Sequence, residues 1–342
     1  MSNLKTIAKF ILVAALMITG CNNNEVIKKE ITGNEDTKTV QEEEDAKKVE
    51  YLNHAYFKVP DGRILDMGDG TALYSELKQR FKKSSATLKQ LVEASGAKLV
   101  YVILTPEVGK TLTPTNRYGN PYIRETCNEL GIECLDLTSE IAAQEPKNVT
   151  QVPRDGHWSA KGAKLIAAYL ATFIRNKSDV SCKVTYNDAE RSKTFGDLPP
   201  NDNEVMDGEK GIPYHVQANS QGLRMNHDVV FPKKKKHIFL MGDSGFFCPF
   251  LDNQYTISSV LQEMLPNDEI MNAAMIGYTI EDYITLWNEK AKYAEPDLVL
   301  VQTDGGDITD MYFTNRNHFS RSKKPFLPTE NEKKFYKDTY MR

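Results

Sequence analysis

A chain of 342 residues, 40% of them hydrophobic and 26% charged, is long enough to bury a sizeable core and too apolar to remain a solvated coil. Its 43 basic and 47 acidic side chains leave a net charge of −4, without the basic excess that nucleic-acid binding needs, so no nucleic-acid partner is expected. The one dense basic cluster, Lys233 to Lys236, abuts an apolar run and reads as a solvated strand entry.

The chain opens with Lys5 and Lys9 ahead of an apolar stretch, Phe10 to Met17, that is too short to span a bilayer. Ile18-Thr19-Gly20-Cys21 follows, and this arrangement resembles a bacterial lipobox. The resemblance makes residues 1–20 a lipoprotein signal peptide and Cys21 the lipidated first residue of an exported chain, anchored by lipid to the membrane of the cell envelope. An ordinary signal peptide with an incidental cysteine would also mean export. Residues 21–50 are rich in Asn, Lys, Glu, Asp and Thr and almost free of large apolar side chains, as in a flexible tether of roughly 30 Å reach.

From Leu73 the apolar residues fall at helical spacing and stop at Gly96, and Lys98 to Leu104 is an apolar, β-branched run that predicts a buried strand. A short helix over Tyr122–Leu130, closed by Gly131, leads to a strand over Ile132–Leu137. Further on, strands over Lys236–Met241, Ile270–Met275 and Asp297–Thr303 alternate with helices over Tyr255–Leu265 and Glu281–Tyr293. The alternation predicts an α/β fold, a three-layer αβα sandwich around a central parallel sheet. Residues 176–236 read as irregular, with Phe195 to Gly211 a loop on composition and Asn219 to Arg224 a structural turn. Besides Cys21 there are Cys127, Cys134, Cys182 and Cys248, which export would allow to form two bridges or to remain four thiols; the spacing selects neither and matches no zinc site.

The chemistry-bearing stretch is His237 to Phe247, where an apolar run ends abruptly in Gly242-Asp243-Ser244-Gly245. A serine on a tight turn at the carboxyl end of a buried strand has an exposed hydroxyl beside backbone N–H groups, but it needs a base and an orienting group to act as a nucleophile. Asp155-Gly156-His157-Trp158 lies on a predicted loop just ahead of a helix capped by Ser159, and a carboxylate one residue removed from an imidazole suits that task. A surface Asp-Gly turn with an incidental histidine fits the same residues. Three strands end in small or polar residues, at Ser244, at Gly277 and at Asp304-Gly305-Gly306-Asp307, and a parallel sheet sets such ends side by side.

GDS after one strand, a glycine after the next, a Gly/Asp loop after the third, and an Asp/His pair ahead of a long helix together resemble the SGNH, or GDSL-type, hydrolase superfamily. The Asp155/His157 block precedes the Ser244 block, and each block occurs once, which implies one circularly permuted SGNH-like domain over residues 51–342. This order resembles the alginate O-acetyltransferase branch, the AlgX/AlgJ-like proteins. The resemblance implies Ser244 as nucleophile, His157 as base and Asp155 as its orienting carboxylate. It also implies oxyanion or substrate contacts at Gly277 and at the Gly305, Gly306, Asp307 block. Donors of that kind are worth roughly 2.7 to 4 kcal/mol each. The third block departs from the usual Gly-x-Asn-Asp: Asp304 stands at the Gly position and Gly306 at the Asn position, so either a backbone N–H of Gly305 or Gly306 takes over the missing side-chain donor or activity is reduced.

The resemblance therefore implies acetyl transfer to, or removal from, a carbohydrate hydroxyl through an acyl-Ser244 intermediate. It further implies a polysaccharide substrate and a membrane-bound O-acyltransferase partner as acyl donor. The altered third block keeps a second reading open, a non-catalytic polysaccharide-binding or scaffold lipoprotein on the same fold. No cofactor or metal is expected, because His54, His215, His227, His237 and His318 are scattered and HExxH is absent.

Overall fold

The computed structural model describes residues 55–58, 64–105, 114–151, 155–183, 194–207 and 213–317. The expected signal peptide, Cys21 and the tether lie outside these residues. In chain order the elements are β1 (Tyr56–Lys58), β2 (Ile64–Asp66), α1 (Ala72–Ala94), β3 (Lys98–Ile103), α2 (Pro114–Leu130), β4 (Glu133–Asp136), α3 (Thr138–Ala142), α4 (Pro146–Val149), β5 (Thr150–Gln151), β6 (Asp155–Trp158) and α5 (Ala160–Arg175). Then come β7 (Asn203–Asp207), β8 (Pro213–Gln217), β9 (Lys236–Met241), α6 (Ser244–Phe247), α7 (Ile257–Met264), β10 (Asp268–Asn272), α8 (Ile280–Glu289), β11 (Leu298–Thr303) and α9 (Gly305–Asn317).

Five strands form one parallel sheet in the order β10-β9-β11-β3-β4, so β3 and β4 from early in the chain complete a sheet begun by β9, β10 and β11. Successive side chains of a strand point to opposite faces, and here both faces are apolar. Leu99, Tyr101 and Ile103 of β3, with Phe239, Met241, Val299 and Val301, pack against Leu77 and Phe81 of α1, Ile123 of α2, Leu286 of α8 and Ile308 of α9. Val100, Val102, Ile238, Leu240, Leu298 and Leu300 pack the other way, against Ile166 and Leu170 of α5 and Leu261 of α7. The result is the expected three-layer sandwich, and each such fully buried aliphatic contributes about 1.5–3 kcal/mol.

The caps follow the sequence signals. Thr71 Oγ1 accepts the Tyr74 N–H at 3.1 Å to start α1, and Ser159 Oγ accepts the Gly162 N–H at 3.1 Å to start α5. Three readings need correction. The helix expected from Tyr122 begins at Pro114 and carries Pro121 in its interior, so that proline marks no boundary. Within the stretch read as irregular, β7 and β8 pair as an antiparallel hairpin. Lys233 is no solvated lysine: its ammonium is 1% exposed and is held at 2.8 Å by both Asp297 Oδ1 and the Glu295 carbonyl. The same Asp297 carboxylate accepts the Lys183 and His237 N–H groups, at 2.8 and 2.9 Å, and thereby gathers the amino-terminal edge of the sheet.

Candidate active site

Strand β9 is buried from His237 to Met241 and delivers the chain to a turn whose every residue type has a local cause. Asp243 caps α6, its Oδ1 accepting the Gly245 N–H at 2.8 Å. Gln302, from the neighbouring β11, lies across the turn and accepts the Asp243 N–H at 3.0 Å through Oε1. A methyl group at Gly242 or Gly245 would come within 2.8 or 2.7 Å of that amide side chain, so a larger residue at either position would displace Gln302 from the turn. The Ser244 hydroxyl donates to Asp243 Oδ2 at 3.4 Å.

The segment after Ser244 is costly backbone. Cys248 and Phe250, neither of them glycine, sit in the left-handed region with φ of 58° and 63°. Arg224 holds them there. Its guanidinium, 1% exposed, donates to the carbonyls of Phe247, Cys248 (3.1 Å) and Leu251 (2.6 Å) and to Asn253 Oδ1 (3.0 Å), and it stacks 4.5 Å from the centre of the Phe247 ring. Burial pulls the Arg224 pKa down to about 10, which leaves it charged at neutral pH. The structural role expected of Asn219 to Arg224 is thus more specific than a turn: it braces the nucleophile segment.

Asp155-Gly156-His157-Trp158 is the short strand β6, paired antiparallel with β5, rather than a plain loop. Its last residue makes the decisive contact. The buried Trp158 donates through Nε1 to the Gly245 carbonyl at 3.0 Å, across 87 residues of sequence, and fastens β6 to the serine turn. His157, one residue earlier, packs edge-on against Phe250 with ring centroids 6.0 Å apart. It is close enough to Asp243 that its charge favours the ionised carboxyl, although burial outweighs this and pushes the Asp243 pKa up. Asp155 opens the same strand; its side chain lies outside the described residues.

The third block is the start of α9. Asp304 Oδ1 accepts the Gly306 N–H at 2.7 Å while Asp307 Oδ2 accepts the Asp304 N–H at 3.1 Å, a reciprocal cap written with two aspartates. Gly305 N–H is engaged by Asn120 Oδ1 at 2.8 Å and Gly306 N–H also by Asn116 Oδ1 at 3.2 Å, both from α2. Each of the two amides considered as substitute oxyanion donors therefore already has a side-chain acceptor. Asp307 is 3% exposed, and burial, then the neighbouring Asp243 and Asp304, raise its pKa well above the ordinary carboxylate range. Gly277, after β10, is exposed with φ +76°; its loop reaches the turn through the Met275 N–H, which donates to the Gly242 carbonyl at 3.0 Å. Among the described residues the backbone N–H groups of Ser244 and Gly277 donate to no acceptor.

The sheet order β10-β9-β11 sets the Gly277, Ser244 and Asp304 ends next to one another, and the Trp158 bond adds His157. Gln302 and Trp158 carry no role in the sequence reading and Arg224 only that of a structural turn; Trp158, the large apolar residue directly after the Asp/His pair, is the one with a local signal. Among the described residues no group of three or more His, Cys, Asp or Glu side chains is placed to hold a metal ion. The described cysteines are free thiols, Cys127 and Cys134 hydrogen-bonded to each other.

The family model for the SGNH hydrolase-like domain of the acetyltransferase AlgX matches residues 109–301. Among solved structures the chain is similar to the O-acetyltransferase domain of Pseudomonas putida AlgJ, with 14% identity and a TM-score of 0.43 over 75% of this chain and 92% of that one. It is similar also to Pseudomonas aeruginosa AlgX, with 14% identity and a TM-score of 0.38 over 79% and 69%, and to Bacillus cereus PatB1, with 12% and 0.35 over 75% and 97%. No curated protein matches it.

Proposed function

The chain belongs to the SGNH hydrolase-like family of the acetyltransferase AlgX, and from that premise we propose that it is an O-acetyltransferase which carries an acetyl group on Ser244 and passes it to a polysaccharide hydroxyl. In this reading His157 takes the Ser244 proton as Oγ bonds to the acyl carbon of the donor, and the Ser244 and Gly277 N–H groups hold the oxyanion. The donor C–O bond then breaks and His157 returns the proton to the leaving oxygen. A sugar hydroxyl next attacks the acyl-serine, gives its proton to His157, and the proton goes back to Ser244 as the acetyl ester departs; water in place of the sugar makes the same site an esterase. Asp155, two residues before His157, orients the imidazole.

The single observation that carries this reading is the Trp158–Gly245 bond, because nothing about chain proximity brings the Asp155/His157 block to the serine. The cellular setting completes the proposal: residues 1–20 direct export, Cys21 carries the lipid anchor, and a membrane-bound O-acyltransferase supplies the acyl group. The engaged amides of Gly305 and Gly306, and a Ser244 hydroxyl bonded to Asp243, favour a second reading as a non-catalytic polysaccharide-binding scaffold. Incubation with 4-nitrophenyl acetate and an acceptor oligosaccharide, beside Ser244→Ala, separates the two. Acetylated oligosaccharide formed by the wild type alone supports transfer, 4-nitrophenol and acetate alone support an esterase, and equal rates for wild type and variant support the scaffold.

A further inference from the structure

Phe195-Gly196-Asp197-Leu198, part of the stretch read as a loop on composition, reaches the residue after Gly277. Asp197 Oδ2 accepts the Tyr278 hydroxyl at 3.1 Å, and Oδ1 accepts Lys290 Nζ, from the end of α8, at 2.7 Å. The carboxylate is 8% exposed and the lysine, which also donates to the Gly196 carbonyl at 3.1 Å, supplies its counter-charge. The loop that carries Asp197 is itself fixed: the Phe195 and Gly196 N–H groups donate to the Gln221 carbonyl at 2.7 and 3.1 Å, and the Leu198 N–H to the Gly222 carbonyl at 3.2 Å. Side chains at Gly196 or Gly222 would overlap the opposing backbone, so the two loops can touch only through glycine.

Tyr278 directly follows Gly277. The Cβ side of Gly277 is open, since a side chain there would meet nothing within 4 Å, and glycine reaches φ +76° without strain. Hydrogen bonds of its neighbours hold the turn on both sides. Upstream, Met275 is tied to Gly242 of the serine turn at 3.0 Å. Downstream, Tyr278 is held at its N–H by the Met275 carbonyl (3.2 Å), at its carbonyl by the Tyr283 hydroxyl (3.1 Å), and at its own hydroxyl by Asp197. The Asp197 bond ties the turn to a loop 81 residues away.

We propose that Asp197 is a positioning residue for acyl transfer: through the Tyr278 hydroxyl it holds the Gly277 peptide so that its N–H faces the oxyanion that forms at Ser244. The proposal rests on the acyl-transfer reading above. Tyr278→Phe removes only the hydroxyl, and Asp197→Ala removes its acceptor while Lys290, 27% exposed, keeps the Gly196 carbonyl as a partner, so both variants are expected to fold. With 4-nitrophenyl acetate each lowers kcat about tenfold while KM stays within about twofold, less than the 10²–10³ that follows outright loss of an oxyanion donor. The double variant is no slower than the slower single, because both act on one contact. Wild-type kcat in either single variant, or additive losses in the double, overturns the proposal. If the wild type is no faster than Ser244→Ala, the acyl-transfer reading fails by itself, and amide hydrogen exchange then decides the bracing: faster exchange at Gly277 in both variants supports it, and unchanged exchange overturns it.

Discussion

Asp307 is buried, caps α9 and faces Asp243 and Asp304, so its carboxyl binds a proton more tightly in the folded chain than in the unfolded one. For a carboxyl whose pKa is raised on folding, the stabilising contribution is complete below the unfolded pKa and is lost as pH climbs through the folded one. Asp307→Asn retains an oxygen to accept the Asp304 N–H and carries no charge at any pH. Denaturant unfolding of the two proteins across pH is expected to show the variant gaining on the wild type as pH rises from the usual aspartate range; parallel profiles would refute the assignment. At this scale the sequence was legible where the cause is local. Gly242-Asp243-Ser244-Gly245 announces a nucleophile turn because an apolar run stops at a cap. Gln302, Trp158 and Asp197 were not legible as parts of the site, because their partners stand 59, 87 and 81 residues away and only the sheet order brings them in.

Helix α2 shows what an element contributes that its own pattern does not reveal. Pro121 suggests a boundary, yet the helix extends back to Pro114, and its first turns supply Asn116 and Asn120 to the amides at the start of α9. The two helices can approach this closely because Gly119 meets the Gly305 backbone, where a methyl group would overlap it. Gly119→Ala is therefore expected to destabilise the fold by about 1–3 kcal/mol, the usual penalty of overpacking, although alanine is the better helix former. A rise in thermal midpoint instead would show that the helices have room to separate. The third block, read from sequence as oxyanion or substrate contacts, also caps α9: Asp304 and Asp307 flank Gly305 and Gly306, and the Asn acceptors that occupy the two amides come from residues 116 and 120. The β7–β8 hairpin escaped notice for a different reason, since Asn203, Glu204 and Val205 are exposed and give no buried alternation to read.

At the scale of the whole molecule, the alternation of helices and apolar strands was enough to predict the sandwich, because a parallel sheet covered on both faces must be apolar on both. Its amino-terminal edge was not legible: a run of four lysines looks solvated, and nothing local says that Lys233 is buried against Asp297. Lys233→Met leaves that carboxylate buried without its counter-charge and is expected to cost about 3–5 kcal/mol, read as a fall in thermal midpoint; no change would mean that the Lys183 and His237 amides suffice. The opposite, carboxyl edge gathers Ser244, Gly277, the α9 cap and, through Trp158, His157, and the proposed function depends on that assembly. Its most direct test is the intact mass of the full chain quenched in acid during reaction with 4-nitrophenyl acetate. A species heavier by one acetyl group is expected, mapped by peptide fragmentation to Ser244 and missing from Ser244→Ala; an adduct absent from both proteins, or present equally in both, would contradict acyl transfer through Ser244.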